Sequence, residues 1–311
     1  MTFADILDMV VEQEGRCAYS GVAMEMLMPN SHWRMSLERR TNTEGYSRNN
    51  CALIAAEFNT SDYSRHPGVD LAEVGGTAQW SEAKFRSVFE LRLFAMDLCQ
   101  LAKDIRDARI KQPSSRLPVT SWPRSPNAAG EWSCCSCGLQ KYPSEFYKNH
   151  RQTGDLHSYC KACAKERYRR RGKTFRGNAQ RLLVQARRRS RFRGQAFALD
   201  LDDMLQMLWL QKGRCFYSGI PLQYKQQHTD WRMSLERLDN SIGYIRSNCV
   251  LIAVEFNTSD HSRNIARTTV FGTAQWSRAK VAHVWGHPGA QSLSAYLCDA
   301  RVPAGQPLPE N

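Results

Sequence analysis

The chain has 311 residues, 43 Lys or Arg against 30 Asp or Glu, a formal net charge of +13, and 42% hydrophobic residues. That length is enough for two or three domains, and that apolar fraction excludes a wholly disordered chain. The positive balance points to a polyanionic partner, nucleic acid first of all, and no apolar run approaches the length of a membrane span.

Met1 to Val10 is acidic and has no arginine, so it is expected to be neither a secretory signal nor a transit peptide. Eleven cysteines is an odd number, and four of them sit at metal-ligand spacing. This argues for a reducing, intracellular compartment over a disulfide framework. Phe3 to Glu14 carries apolar residues at Phe3, Ile6, Leu7, Val10 and Val11, a helical period that predicts a packed helix.

The segment Gly15–Arg65 then returns as Gly213–Arg263, with 30 of 51 positions identical, no gap and a constant offset of 198. Gly-Thr-Ala-Gln-Trp-Ser recurs at 76–81 and 272–277 after a two-residue change in length. The unit is about 80–90 residues long, too long for a solenoid repeat, and implies a duplicated domain.

Within the second copy, Trp231 to Arg237 reads as a strand and Asp239-Asn-Ser-Ile-Gly243 as a turn. Cys249 to Ala253 is a short apolar run that predicts a buried strand, and Glu255 onward reads as a polar helix start. Trp33 to Asn59 repeats this strand–turn–strand–helix order. Glu236, late on the first strand, and Asn257, early on the helix, can then converge as oxygen ligands for Mg²⁺ or a similar hard cation. The plainer alternative is that Glu236 forms an ion pair with Arg237 or another arginine nearby.

Ala83 to Lys111 is expected to be one long helix, and the proline-rich stretch 111–131 a linker. Residues 132–165 contain Cys134-x-x-Cys137 and Cys160-x-x-Cys163, two pairs 22 residues apart. Such pairs can set four thiolates around one tetrahedral zinc, with Cys135 spare and His150 or His157 as substitutes.

From Lys165 to Arg193 there are 13 Lys or Arg and one acid, Glu166, with Tyr168, Phe175 and Phe192 interleaved. Unpaired like charges repel, so this one-sidedness favours phosphate contact over a merely solvated face. The expected contacts are Arg167, Arg169, Arg170, Arg171, Lys173, Arg176, Arg181, Arg187, Arg188, Arg189, Arg191 and Arg193. Leu182, Leu183 and Ala186 form one apolar stripe by which a basic helix over 166–198 would dock. The second copy follows over 199–300, and 301–311 is a proline-bearing tail.

The repeated stretch resembles the HNH, or ββα-metal, endonucleases of phage and homing type. The resemblance rests on Leu235-Glu-Arg-Leu-Asp-Asn240, Gly243-Tyr244, Asn248 and Asn257. It extends to the cysteine ribbon and the helix leading into the second copy. It implies an α+β protein in which two ββα-metal modules, at 1–110 and 199–300, flank a zinc ribbon and a basic helix. By the resemblance, Glu236 matches the metal-binding carboxylate, Asn248 the middle Asn and Asn257 the helix ligand. Glu38, Asn50 and Asn59 match in the first copy.

The family's general-base histidine is replaced by Arg237 and Arg39, which stay protonated and cannot take a proton from water, although they could clamp a phosphate. The structural zinc knuckle of many members is also absent: Cys215-x-x-Ser218 and Cys17-x-x-Ser20 lack the second thiol, so apolar packing is expected in its place. Two functions follow from the resemblance. One is a metal-dependent endonuclease using Mg²⁺ on Glu236 and Asn257. The other is a catalytically silent fold serving as a structural nucleic-acid-binding subunit, for instance of an organellar ribosome.

Overall fold

The computed structural model describes residues 1–27, 31–41, 43–59, 79–110, 125–150, 153–226, 229–257 and 276–287. Most of the linker, the tail, and the segments following Asn59 and Asn257 lie outside these residues. The described chain is α+β: seven α-helices and four separate two-stranded antiparallel sheets.

Helix α1 (Phe3–Glu12) opens on a capping box in which the Thr2 hydroxyl accepts from the Asp5 N–H while the Asp5 carboxylate accepts from the Thr2 N–H. Strands β1 (Met35–Arg39) and β2 (Cys51–Ala55) follow as a hairpin. Helices α2 (Glu82–Leu93) and α3 (Leu98–Arg109) come next. The single helix expected over 83–111 is therefore broken. Asp97 caps α3 by accepting from the Gln100 N–H, and Arg214 reaches the Phe94 carbonyl at the open end of α2.

The cysteine-bearing unit consists of β3 (Trp132–Ser133), β4 (Gln140–Lys141), β5 (Phe146–Lys148) and β6 (Leu156–Cys160), with its own small apolar core. Gly154 takes a φ of +70°, and any β-carbon there would collide with the Trp132 ring at 2.3 Å.

The basic stretch also forms two helices, α4 (Lys161–Gly172) and α5 (Phe175–Arg193), where one was expected. Thr174 terminates the first turn-out and caps α5 by accepting from the Gly177 N–H. Helix α6 (Leu201–Leu210) repeats the capping box with Asp200 and Asp203. Strands β7 (Met233–Arg237) and β8 (Cys249–Ala253) make the second hairpin, and α7 (Arg278–Trp285) ends the described chain.

The two hairpins share one register: Met35 faces Ala55 and Arg39 faces Cys51, as Met233 faces Ala253 and Arg237 faces Cys249. Each is tied to its preceding helix by a glutamine that acts as a strand surrogate. Gln13 donates to the carbonyls of Arg16 and Leu53 and accepts from the Leu53 N–H; Gln211 does the same with Arg214 and Leu251. These hooks satisfy backbone groups on the side of β2 and β8 that no strand covers.

One correction concerns the helix expected from Glu255. Val254–Phe256 is a single 3₁₀ turn ended by Asn257, and the chain beyond it lies outside the described residues. The turn drives Glu255 and Phe256 inward, as the equivalent turn drives Glu57 and Phe58.

Both hairpins belong to one hydrophobic core, and the helices after them are exchanged. On α2, Lys84 pairs with Glu255 of the second hairpin at 3.1 Å and approaches Asp230 at 3.7 Å. On α7, Lys280 pairs with Glu57 of the first hairpin at 2.7 Å and meets His32 at 3.1 Å. Between them Phe58, Phe256, Trp80, Trp276 and Trp285 form a buried aromatic cluster with ring centroids 5.2–6.1 Å apart. Such rings bury large areas and explain why neither carboxylate can be left without its lysine.

Candidate functional site

The strand period of two puts Ser234 and Glu236 on one face of β7. The Asn257 side-chain amide donates to Ser234 Oγ at 2.9 Å and to the Leu235 carbonyl at 3.1 Å. Asn59 makes the same pair of bonds to Ser36 Oγ and the Leu37 carbonyl, at 2.9 and 3.0 Å. The structure thus brings the Asn to the strand face that carries the Glu, in both copies. Both amide hydrogens are used, so each Asn is a fixed strut holding the 3₁₀ turn to the hairpin.

The carboxylates themselves are shut away: Glu38 is 0% exposed and Glu236 1%. A magnesium ion keeps several of its waters, and such depth is a poor setting for one.

Asn50 and Asn248 organise the loop between the strands. Asn248 Oδ1 accepts from the Asp239 N–H at 2.8 Å, and its amide donates to the carbonyls of Asp239 and Gly243 at 2.9 and 3.1 Å. Asn50 accepts from the Thr41 N–H and donates to the Thr41 and Gly45 carbonyls. Their amides are spent on the backbone, where they replace a turn's missing hydrogen bonds.

Arg237 is enclosed by its own loop and by Gln195. It is 1% exposed, and its guanidinium donates to Gln195 Oε1, Asn240 Oδ1 at 2.7 Å and the Ile242 carbonyl at 3.1 Å while lying over the Tyr244 ring. The segment before α6 supplies this enclosure. Tyr244 and Ala196–Ala198 exchange backbone hydrogen bonds of 2.9 Å, and a β-carbon on Gly243 would strike the Ala196 carbonyl at 2.1 Å. Arg39 is half-buried, donates to the Glu44 carbonyl at 3.3 Å and covers Tyr46.

The sulfurs of Cys134, Cys137, Cys160 and Cys163 all lie within 4.8 Å of one another. A tetrahedral zinc with bonds of about 2.3 Å needs sulfurs about 3.8 Å apart, so the four residues fit a structural metal ion with little movement. Burial opposes ionisation of Cys134, but N–H groups of Cys160, Cys137 and Ser136 aimed at its sulfur bring it down to about 6. Burial holds Cys137 up and pushes Cys163 up to about 12. Cys135 lies outside the set. Cys215 and Cys249 are buried and held in the thiol form by desolvation, as expected of packing residues.

Cys160 and Cys163 stand at the start of α4, so the four-cysteine cluster sits directly at the root of the basic helices. On α5, Phe175, Ala179, Leu182 and Ala186 face the core, and Leu183 is half-buried. Arg169, Arg170, Arg171, Lys173, Arg187, Arg188, Arg189, Arg191 and Arg193 are exposed. Several are partly engaged: Arg169 and Arg170 with Glu166, Arg171 with Gln180, Arg187 over Phe197. Arg167 lies over Tyr159, and Arg181 is half-buried. Arg176, one of the expected phosphate contacts, donates to the carbonyls of Ala108 and Arg109 and so caps the C-terminus of α3. Arg188, Arg189, Arg191 and Arg193 form no ion pair with a described residue, and exposed Phe192 stands among them.

Sequence reasoning missed the Lys84–Glu255 and Lys280–Glu57 exchange. Its signal was present in the recurrence of Trp80-Ser-Glu-Ala-Lys84 as Trp276-Ser-Arg-Ala-Lys280. Comparison with family models, curated proteins and solved structures finds no match to this chain.

Proposed function

We propose that the two hairpins are a tandem pair of HNH-like modules that have given up cleavage, and that the protein binds nucleic acid as a structural component of a nucleoprotein assembly. The observation that carries this reading is the burial of the would-be catalytic groups beside the exposure of the arginines. Glu38 and Glu236 are closed to solvent, Arg237 stands in the base position tied to its own loop, and the outward arginines of α5 have no acidic partner among the described residues. In this reading the four cysteines hold zinc, which fixes the start of α4 and so the angle of the cationic arm. Phosphate contact by that arm supplies affinity without sequence preference.

The test is a paired measurement on the full chain. Labelled RNA and DNA strands are titrated at several salt concentrations, and the same substrates with supercoiled plasmid are incubated with Mg²⁺ or Mn²⁺. Binding should weaken steeply with salt, with no strand scission. Replacing Arg188, Arg189, Arg191 and Arg193 by Gln should flatten the salt slope by about 3 to 4. Scission that disappears in Glu38→Gln/Glu236→Gln would instead establish the endonuclease.

A further inference from the structure

Single exposed aromatic side chains are ordinary on a protein surface and carry no argument by themselves. The cysteine-bearing unit and α4 hold theirs in a particular order. Strands β5 and β6 turn Phe146, Leu156 and Cys160 into the small core, and Tyr147, the next residue along β5, is left 52% exposed. The Lys161 ammonium lies 5.8 Å from the centre of the Tyr147 ring.

Lys161 is the first residue of α4. The helical period puts Lys165 and Tyr168, at i+4 and i+7, on the same side of α4 as Lys161. Tyr168 is 62% exposed. Seven residues of helix set it about 10 Å along the axis from Lys161. The order along this line is therefore aromatic, cation, cation, aromatic. Glu166, the acid of the stretch, projects from a different side of the helix and pairs with Arg169 and Arg170. Lys161 and Lys165 form no ion pair with a described residue. Beside the line, Arg167 is held over the Tyr159 ring at 4.5 Å and adds a third cation.

Phosphate contact accounts for the lysines, as it does for the outward arginines of α5, but it gives the tyrosine rings no partner. Such rings stack on nucleobases. Only unpaired bases offer a face to them, because a duplex keeps its base faces stacked inside.

We propose that Tyr147 and Tyr168 form a stacking platform for unpaired bases, with Lys161 and Lys165 on the phosphates between them. The strand that this surface takes is single-stranded nucleic acid. The inference rests on the nucleic-acid-binding reading above and adds to it the class of strand. Every base has a face to stack, so the platform separates unpaired from paired strands and not one sequence from another.

The test titrates the full chain with three labelled probes: a mixed-sequence single strand that cannot pair with itself, an abasic strand of the same length, and the corresponding duplex. The intact single strand should bind roughly 10-fold more tightly than the abasic one. Tyr147→Ala/Tyr168→Ala should erase that margin while leaving the salt slope and the duplex affinity unchanged, and Tyr147→Phe/Tyr168→Phe should keep it. Equal binding of intact and abasic strands by the parent would overturn the proposal and leave the phosphate-binding reading standing. A margin that survives the alanine pair, or an equal loss on the duplex, would also overturn it. Failure of the parent to bind any of the three would overturn the nucleic-acid reading and this proposal with it. The intact-against-abasic comparison needs no variant, so it decides the matter even if the alanine pair misfolds.

Discussion

The two hairpins are nearly the same object in different surroundings. Register, glutamine hook, asparagine strut and loop-organising asparagine all recur at the offset of 198. Arg39 and Arg237 nevertheless part company: one is half-buried over an exposed tyrosine, the other enclosed over a buried one. The difference comes from Gln195 to Ala198, which lie across the second loop; nothing described lies across the first. A residue's chemistry in this molecule is set by what is laid over it, more than by its place in the hairpin.

The largest expected break of that comparison is at the arginines. Arg237→Met leaves buried loop acceptors without donors and should destabilise the protein by about 3–5 kcal/mol, whereas Arg39→Met should cost about 0.5 kcal/mol. Urea unfolding of the two variants reads the gap, and equal losses would mean the enclosure of Arg237 contributes nothing.

The exchanged lysines should behave alike. Lys84→Met and Lys280→Met each remove the cation beside a buried carboxylate, and both should cost about 3 kcal/mol in the same assay. A large asymmetry would show that the two crossings are not equivalent.

Gly243→Ala should cost about 2–3 kcal/mol because its β-carbon meets the Ala196 backbone, while Gly45→Ala, with nothing within 4 Å, should be close to neutral. Thermal melts of the pair sharpen the comparison at a position where the sequence is identical in both copies.

The smallest effect concerns α3 and acid. Asp104 is pushed up by burial, but hydrogen bonds from Lys225 at 2.6 Å, Tyr224 at 2.7 Å and Gln100 at 2.8 Å outweigh this and hold it below the ordinary carboxylate range. Its proton is therefore held less tightly in the folded than in the unfolded chain. The stability it contributes is present above the unfolded value of about 3.9 and is lost as pH falls through the lower folded value. Unfolding midpoints between pH 6 and pH 3 should fall less steeply for Asp104→Asn than for the parent.

Much of this was legible in the residues. Cysteine spacing is a local signal, and Cys134, Cys137, Cys160 and Cys163 converge as the two pairs require. The hairpin boundaries followed from apolar runs and turn residues, and the repeat placed Asn59 and Asn257 on the strand faces of Glu38 and Glu236. The helix breaks at 94–97 and 173–174 escaped because the capping residues Asp97 and Thr174 sit in otherwise helical periods, and the Arg214 side chain that ends α2 comes from more than a hundred residues away. The enclosure of Arg237 escaped for a similar reason: no pattern around it announces Gln195 as its acceptor.

Taken alone, the amino-acid order determined the two hairpins, the twofold repetition and the four-cysteine set, because each is written in spacings of a few residues or in direct self-similarity. Tertiary structure alone decided which side chains meet water. The exchange of α2 and α7 between hairpins, and the laying of 195–198 over one loop and not the other, join residues far apart in the chain. Those contacts put Glu57, Glu255 and Arg237 out of reach of solvent.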